Sequence, residues 1–367
     1  MIEKKYLDAY ENAIKKVERT SLRIKSTFPH TASLETGEYS SETPWFWTGG
    51  FWGGILQLAY RETKDIRFLS LLSEIEQKQD ANLSEFFMRM HHDVGFLFMP
   101  TSVESYRLTK NEFSLRRGYM AATILASRFN EKGKFIRAWN GDKRVGYVII
   151  DCMMNLSILY WASKQFNDPR FYHIAKAHAD TVLKTYVRPD YTVPHIVEFD
   201  PNTGEMLRCH GGQGKADDSV WARGQAWAIY GFAISYRETK DPAYLEASTK
   251  IGKKFVDSLP PEGIPYYDFK ADETDNNVFD SSASSIAASG LMECYQLTGD
   301  QQYLERAKKL LDALIDRYAD FSDKSEGIIQ MGTVNKPADV GINVPIIYGD
   351  YFFMEALLKM KGEKGIF

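Results

Sequence analysis

Two kinds of hydrophobic pattern alternate along the chain. Segments near residues 3–26, 66–78, 111–129, 169–186, 242–258 and 301–318 carry apolar side chains on one helical stripe and charges elsewhere. In the last of these the stripe is Leu304, Ala307, Leu310, Leu311 and Leu314, the pattern of a helix with one buried face. A second set, near 48–62, 91–109, 147–166, 219–239, 281–298 and 345–360, is rich in Gly, Ala, Ser and aromatics and poor in charge. That composition predicts helices buried on most sides.

A short punctuation mark separates members of the second set from members of the first. Tyr60-Arg-Glu-Thr-Lys-Asp65 recurs as Tyr236-Arg-Glu-Thr-Lys-Asp241, and more loosely as Gln165 to Asp168 and Gln296 to Asp300, with Leu108 to Asn111 a weaker copy. Asp at the end of each mark suits an N-cap, and Pro169 and Pro242 follow at the first helical position, where a missing N–H costs nothing. Self-similarity at this spacing predicts a repeated helical hairpin. Long segments, 27–47, 130–146 and 187–218, connect the hairpins at the other end. The expectation is an all-α fold, an (α/α)6 barrel of six inner and six outer helices. A few short strands are expected in the rim loops, with Val193 to Phe199 and Ile264 to Phe269 as candidates. Residues 1–367 are expected to form a single domain.

Composition narrows the partners. The chain of 367 residues is 44% hydrophobic and 26% charged, with net charge −4, so no basic excess is available to neutralise phosphates, and nucleic acid is excluded as a partner. Cys152, Cys209 and Cys294 form no CxxC pair, which argues against a disulfide framework and for a reducing compartment. No run of about 18 apolar residues exists, and the start, MIEKKYLDAYENAIKK, lacks the apolar stretch of a signal peptide. The expected location is the cytoplasm, away from membranes.

Unusual chemistry concentrates at the starts of the second set: Trp45 to Trp52, His91 to Phe96, Val148 to Asn155, Asp217 to Trp227, Asp280 to Ala287 and Tyr348 to Ala356. In an alternating barrel these six starts converge on one rim, where aromatics, carboxylates and amides make a sugar site. Asp151 follows Tyr147-Val-Ile-Ile150. A carboxyl in such apolar surroundings is pushed towards neutrality and suits a general acid, whereas a plain helix N-cap would be pushed the other way; the sequence leaves both readings open. Asp93 is a second rim carboxylate with the same two readings, and a pair of carboxylates is the minimum for glycoside chemistry. His91 and His92 are adjacent and, on a helix, point about 100° apart, so no metal site is expected. Arg223 offers a planar fork for a carboxylate, with a structural Arg on loop carbonyls as the rival. His195 lies in a loop, as fitted to a polar contact as to a site. The serines at 281, 282, 284 and 285 lack a GxSxG elbow and read as small residues for close helix packing.

Taken together, HHDVGF, IIDCMMN, DDSVWARGQAWAIYGF, DSSASS and YGDYFFMEAL resemble the unsaturated glucuronyl hydrolases of glycoside hydrolase family 88, from Phe28-Pro-His30 to the last helix. The resemblance implies an (α/α)6 barrel and a hydrolase for the 4,5-unsaturated uronic acid that polysaccharide lyases leave at the non-reducing end of their products. In that chemistry a carboxylic acid protonates C4 of the vinyl ether, water adds at C5, and the hemiketal opens with loss of the glycosidic bond, without a cofactor. Matched by motif, the resemblance makes Asp151 the acid and base and Asp93 the second essential carboxylate. It makes Trp47, Trp139 and Trp227 aromatic walls, and His195, Gln213, Trp221 and Arg223 substrate contacts. The substrate implied is an unsaturated uronyl di- or oligosaccharide of glycosaminoglycan type. One departure stands out: where the family often has His before the Gln, this chain has Gly212, with His210 two residues earlier. Rival expectations are an unsaturated rhamnogalacturonyl hydrolase, a lyase using His or Tyr as base, and a non-catalytic sugar-binding barrel.

Overall fold

The computed structural model describes residues 3–85, 87–271, 275 and 277–367. Its outer helices are α1 (Lys4–Ile24), α3 (Ile66–Ser84), α6 (Glu112–Ala126), α8 (Pro169–Tyr186), α10 (Pro242–Asp257) and α12 (Gln301–Ala313). Its inner helices are α2 (Phe51–Thr63), α7 (Cys152–Phe166), α9 (Ala222–Thr239), α11 (Ser281–Thr298) and α13 (Ile347–Met360). A sixth inner rod is made of α4 (Val94–Phe98), a π-helical turn at Met99–Val103 carrying Pro100, and α5 (Glu104–Thr109). Each inner helix packs on the next, and α13 closes the ring against α2. The two concentric rings are the (α/α)6 barrel the alternation predicts.

The punctuation marks are the base of the barrel. Asp65, Asn111, Asp168, Asp241 and Asp300 each accept a hydrogen bond from the backbone N–H two residues on, capping α3, α6, α8, α10 and α12. Four of these turns also use the preceding Thr: the hydroxyls of Thr63, Thr109, Thr239 and Thr298 accept from the N–H of the cap residue itself. Lys64, Lys110, Asn167, Lys240 and Gly299 occupy the left-handed region between the two helices. The turn therefore reverses the chain in two residues while satisfying the orphan donors of the outer helix.

The inner helices all run from rim to base. Their positive dipole ends thus face the rim, which favours an anionic ligand there. Small residues let the inner helices touch: a Cβ on Gly290 would stand 2.9 Å from the Tyr230 Cα of α9. Phe51, Phe96, Trp227, Phe352 and Phe367 stack across the axis and close the barrel to a cup.

Two expectations change at the rim. Residues 147–149 are a strand, β5 (Tyr147–Ile149), not the first turn of α7. This β-branched run pairs with β6 (Ile196–Phe199), which pairs in turn with β7 (Met206–His210), all antiparallel, the setting where such residues pack well. The strand expected over Val193 to Phe199 is β6. The run Ile264 to Phe269 makes only isolated bridges, Tyr266 with Phe279 and Asp268 with Trp221. Two-stranded pairs also form at β1 (Pro29–Ala32) with β2 (Tyr39–Ser41) and at β3 (Phe129–Asn130) with β4 (Phe135–Ile136).

Loss of one base cap, Asp300→Ala, is expected to cost about 1 kcal/mol in denaturant unfolding and to leave turnover unchanged. Gly290→Val, which drives a branched side chain into α9, is expected to cost about 3 kcal/mol or more.

Candidate active site

Aspartates stand at the rim ends of the inner helices, and their carboxyls live differently. Asp350, one turn into α13, accepts from the Tyr39 hydroxyl at 2.7 Å and from the N–H groups of Ile328 and Ile329 at 2.8 and 2.7 Å. It is a structural tie between rim segments. Asp280 accepts from Arg223 at 2.5 Å and from the Ser282 hydroxyl at 2.5 Å. Asp151 sits at the N-cap position of α7 yet caps nothing. Its Oδ1 is buried with no hydrogen-bond partner in the protein, although a buried carboxylate normally collects donors.

That isolation sets its proton affinity. Burial pushes the Asp151 carboxyl up to about 7, and the charge of nearby Asp93 adds to the rise against the opposing field of His92. The N-cap reading of Asp151 therefore does not describe its side chain. Asp93 is the opposite case. Burial would raise it too, but the His92 and His91 imidazoles outweigh burial and hold it well below the usual carboxylate range. Their nitrogens lie 3.1 and 2.9 Å from its two oxygens. The other nitrogen of His92, Nδ1, lies 3.0 Å from the Ala138 carbonyl. Both nitrogens of His92 thus face oxygen atoms, which fixes the orientation of the ring.

The convergence of His91 and His92 corrects the helical argument against it. Both residues precede α4 and lie outside the helix, so the 100° rule does not bind them. Their rings stack at 5.3 Å with planes 27° apart. Among the described residues, His91, His92 and Asp93 are the one group whose ligand atoms gather closely enough for a metal ion, within 4.8 Å of one another. The Asp93 carboxylate lies against both imidazoles.

His195 stands over Asp151. It is buried, its Nδ1 accepts from the Gln213 N–H at 2.9 Å, and its Nε2 lies 4.0 Å from Asp151 Oδ1. An accepting Nδ1 leaves the proton on Nε2, facing the acid. Burial, helped by the charge of Arg223, pushes His195 down to about 3 and keeps it neutral. Trp221 covers the ring at 4.2 Å. Gly212 takes φ +58°, and a Cβ there would come within 2.1 Å of His195 Nδ1. A glycine before Gln213 is thus required by the way His195 is held.

Arg223 is not an open fork. NH1 donates to Asp280 and to the Thr333 carbonyl at 2.6 Å, and NH2 donates to Gln213 Oε1 and the Val334 carbonyl, both at 2.6 Å. Its guanidinium lies between the Trp221 ring, 4.5 Å away, and the Tyr348 ring, 5.3 Å away. It ties two rim loops together while its charge is felt at Asp151. Trp47 is half-buried at the mouth, 4.8 Å from Tyr348, and Trp139 is half-buried beside His92 at 6.1 Å. Trp227 is wholly buried behind Phe96, so it is the floor of the cup rather than an open wall.

Tyr348, Asp280 and His30 complete the surroundings without having been singled out by the sequence as site residues. Each lay inside a segment that marked the rim or the resemblance, but only three-dimensional contact connects them to Arg223. A cavity of about 770 Å3 at the base is lined by Arg107, Glu104, Arg237 and Glu293 among others. Its acids are paired, Glu104 with Arg107 at 3.2 Å and Glu293 with Arg237 at 2.7 Å, so no lone acid stands there.

Known proteins share this fold and much of this sequence. The chain is 33% identical over 357 residues to the unsaturated glucuronyl hydrolase of Bacillus sp. (strain GL1), covering 95% of this chain and 94% of that one. It is 32% identical to the unsaturated chondroitin disaccharide hydrolase of Streptococcus pyogenes serotype M1, over 96% and 90% of the two chains. The crystal structure of the Bacillus sp. GL1 protein superposes with a TM-score of 0.92 at 32% identity and 97% coverage of each chain. A mutant unsaturated glucuronyl hydrolase from Streptococcus agalactiae, solved in complex with dGlcA-GalNAc6S, superposes at 0.85 with 26% identity, covering all of this chain and 95% of that one. Residues 20–260 match the family described as Glycosyl Hydrolase Family 88, and with that match across more than half its length, the chain belongs to glycoside hydrolase family 88.

Proposed function

We propose that this chain removes the 4,5-unsaturated uronic acid from glycosaminoglycan-derived oligosaccharides by hydrating the C4=C5 vinyl ether. The observation that carries the reading is a buried, uncapped Asp151 with its carboxyl raised to about 7, beside an Asp93 held ionised. Two acids whose surroundings push their proton affinities apart divide the roles between them. Asp151 gives its proton to C4, and positive charge develops at C5 and the ring oxygen. The resulting Asp151 carboxylate takes a proton from water as the water oxygen bonds to C5. This restores the acid, and the hemiketal opens to release the next sugar. No proton is consumed over the cycle, and no cofactor enters.

The other residues follow from their geometry. Asp93 raises the proton affinity of Asp151 and is placed to accept from ring hydroxyls. Neutral His195 presents Nε2–H beside the acid without the positive charge that would strip its proton. The helix N-termini and Arg223 make the rim favourable to the uronate. Trp47, Trp139, Trp221 and Gln213 frame the sugar, and Trp227 supports the floor. The reading takes residues 1–367 as one catalytic domain working in the cytoplasm. Among the described residues, no helix is long and apolar enough to cross a membrane, and the three cysteines are free thiols.

Unsaturated chondroitin or heparin disaccharides are expected to lose their ultraviolet absorbance on addition of the protein. Asp151→Asn should slow that loss by about a thousandfold or more while the disaccharide still binds. A rise in absorbance on intact polymer would instead identify a lyase.

The acid must be protonated to work, so kcat/KM is expected to fall as pH rises through about 7. Asp93→Asn removes the negative charge that helps raise the Asp151 proton affinity. The falling limb should move to lower pH in that variant; a limb that stays in place contradicts the coupling.

Stability carries the same signature. Between the ordinary Asp range and about 7, folded Asp151 holds a proton that the unfolded chain has released, so folding weakens as pH rises across that window. Asp151→Asn escapes this loss. Its stability should exceed that of the unaltered chain at pH about 8 by on the order of 2–4 kcal/mol, read as a higher melting temperature, and the gap should close near pH 4.

A further inference from the structure

The solvent face of the β5–β6–β7 sheet is built unlike its inner face. Val148 and Val197 point inward and are fully buried. On the other side the register lines up Tyr147, Glu198 and Arg208 in one row and, in the next, the buried Ile149 and Ile196 with the half-buried His210, because directly opposed residues share a face and successive ones do not. β5 runs into Asp151, β6 begins one residue after His195, and β7 ends three residues before Gln213. Each strand therefore has one end at the reaction centre. By strand rise, the row holding Tyr147 and Arg208 lies roughly 13 Å from Asp151.

Rings mark the way outward. Trp139 stands edge-on to His92 at 6.1 Å, Tyr147 is 6.4 Å from Trp139, and His210 is 5.0 Å from Tyr147 with the planes inclined by 31°. Exposure rises along the row. His92 is buried, Trp139, Tyr147 and His210 are half-buried, and the flanking Arg144 and Arg208 are exposed. Arg144 lies over Trp139 at 5.6 Å. Glu198 accepts from Arg208 at 2.9 Å and meets His210 Nε2 at 2.8 Å, which orders the face in advance of any ligand.

The adjoining segment 130–146 carries Lys132, Lys134, Arg137, Lys143 and Arg144 against only Glu131 and Asp142, in a chain whose net charge is −4. Half-buried rings accept the C–H faces of a pyranose, and exposed cations meet carboxylate or sulfate. An alternating uronate chain supplies both, with its next carboxylate two sugars beyond the one released.

We propose that this sheet face extends the substrate site, binding the sugars beyond the leaving one in longer anionic oligosaccharides, with Tyr147 and His210 as the platform and Arg208 and Arg144 as the charge contacts. The proposal rests on the reading of Asp151 as the reaction centre, because that residue fixes where the chain starts. It makes the protein a hydrolase that gains affinity from chain length.

Titration calorimetry on the Asp151→Asn chain tests it with two probes, the unsaturated disaccharide and the unsaturated tetrasaccharide of the same chondroitin. The tetrasaccharide is expected to bind about tenfold more tightly. Tyr147→Ala should erase most of that gain and leave disaccharide binding within about twofold, whereas Tyr147→Phe should keep it. Arg208→Gln, an exposed change, should weaken only the tetrasaccharide and flatten its dependence on salt. Equal affinities for the two probes, or variants that weaken both alike, would overturn the platform. Failure of the unaltered chain to turn over the disaccharide would instead count against the reaction assigned to Asp151, and the tetrasaccharide binding data would still decide the platform.

Discussion

One carboxyl group, buried at a helix start that it does not cap, is the constraint around which the rim is arranged. An aspartate at a helix start has a ready use in accepting backbone N–H groups, and five outer helices are capped in this way by Asp or Asn. Asp151 stands at the same position of an inner helix and makes no such bond. The difference is the entry of the chain. Base turns deliver the cap residue in extended conformation, whereas Asp151 arrives from β5 already in the helical region, with φ −57° and ψ −27°. That conformation turns the carboxyl away from the helix end. The surrounding desolvation then raises its proton affinity instead of lowering it.

The rest of the charge pattern protects that state. Asp93 needs an ionised form to act on Asp151, and its two imidazole neighbours supply the stabilisation. His195 would cancel the effect if it carried charge, and the Gln213 N–H on its Nδ1 fixes it as a donor-only neighbour of the acid. Arg223 brings a full positive charge into the same space, but Asp280 partners it directly. Its four hydrogen bonds turn it into a clamp between the Gln213 loop and the Thr333–Val334 loop. Buried ion pairs of this kind contribute geometry more dependably than stability.

Much of this was legible in the sequence because repetition and periodicity are local signals. The repeated Thr-Lys-Asp and Asp-Pro marks located the base turns, and helices α8 and α11 fall where their patterns placed them. Asp151, Asp93, His195, Gln213, Trp221 and Arg223 do come together at one rim. What local pattern could not carry was the shift from helix to strand at 147–149, since a short apolar run reads equally as either until its partner strand is known. The same shift explains His91 and His92. A helical projection separates them by 100°, but a turn before the helix points both at Asp93. Arg223 carried two readings, a fork for a carboxylate and a structural Arg on loop carbonyls; local pattern could not choose the second because its acceptors, the carbonyls of 333 and 334, lie over a hundred positions away along the chain. The departure at Gly212 becomes intelligible only from the contact distance to His195.

The central claim is that Asp151 is a neutral acid in the folded protein near pH 7. Infrared difference spectra between the unaltered chain and Asp151→Asn, recorded from about pH 5 to about pH 9, read the protonated carboxyl of that one residue directly. A carboxylic acid band present at the acid end and lost with a midpoint near 7 is the predicted result. A carboxylate already fully ionised at the acid end would contradict the account.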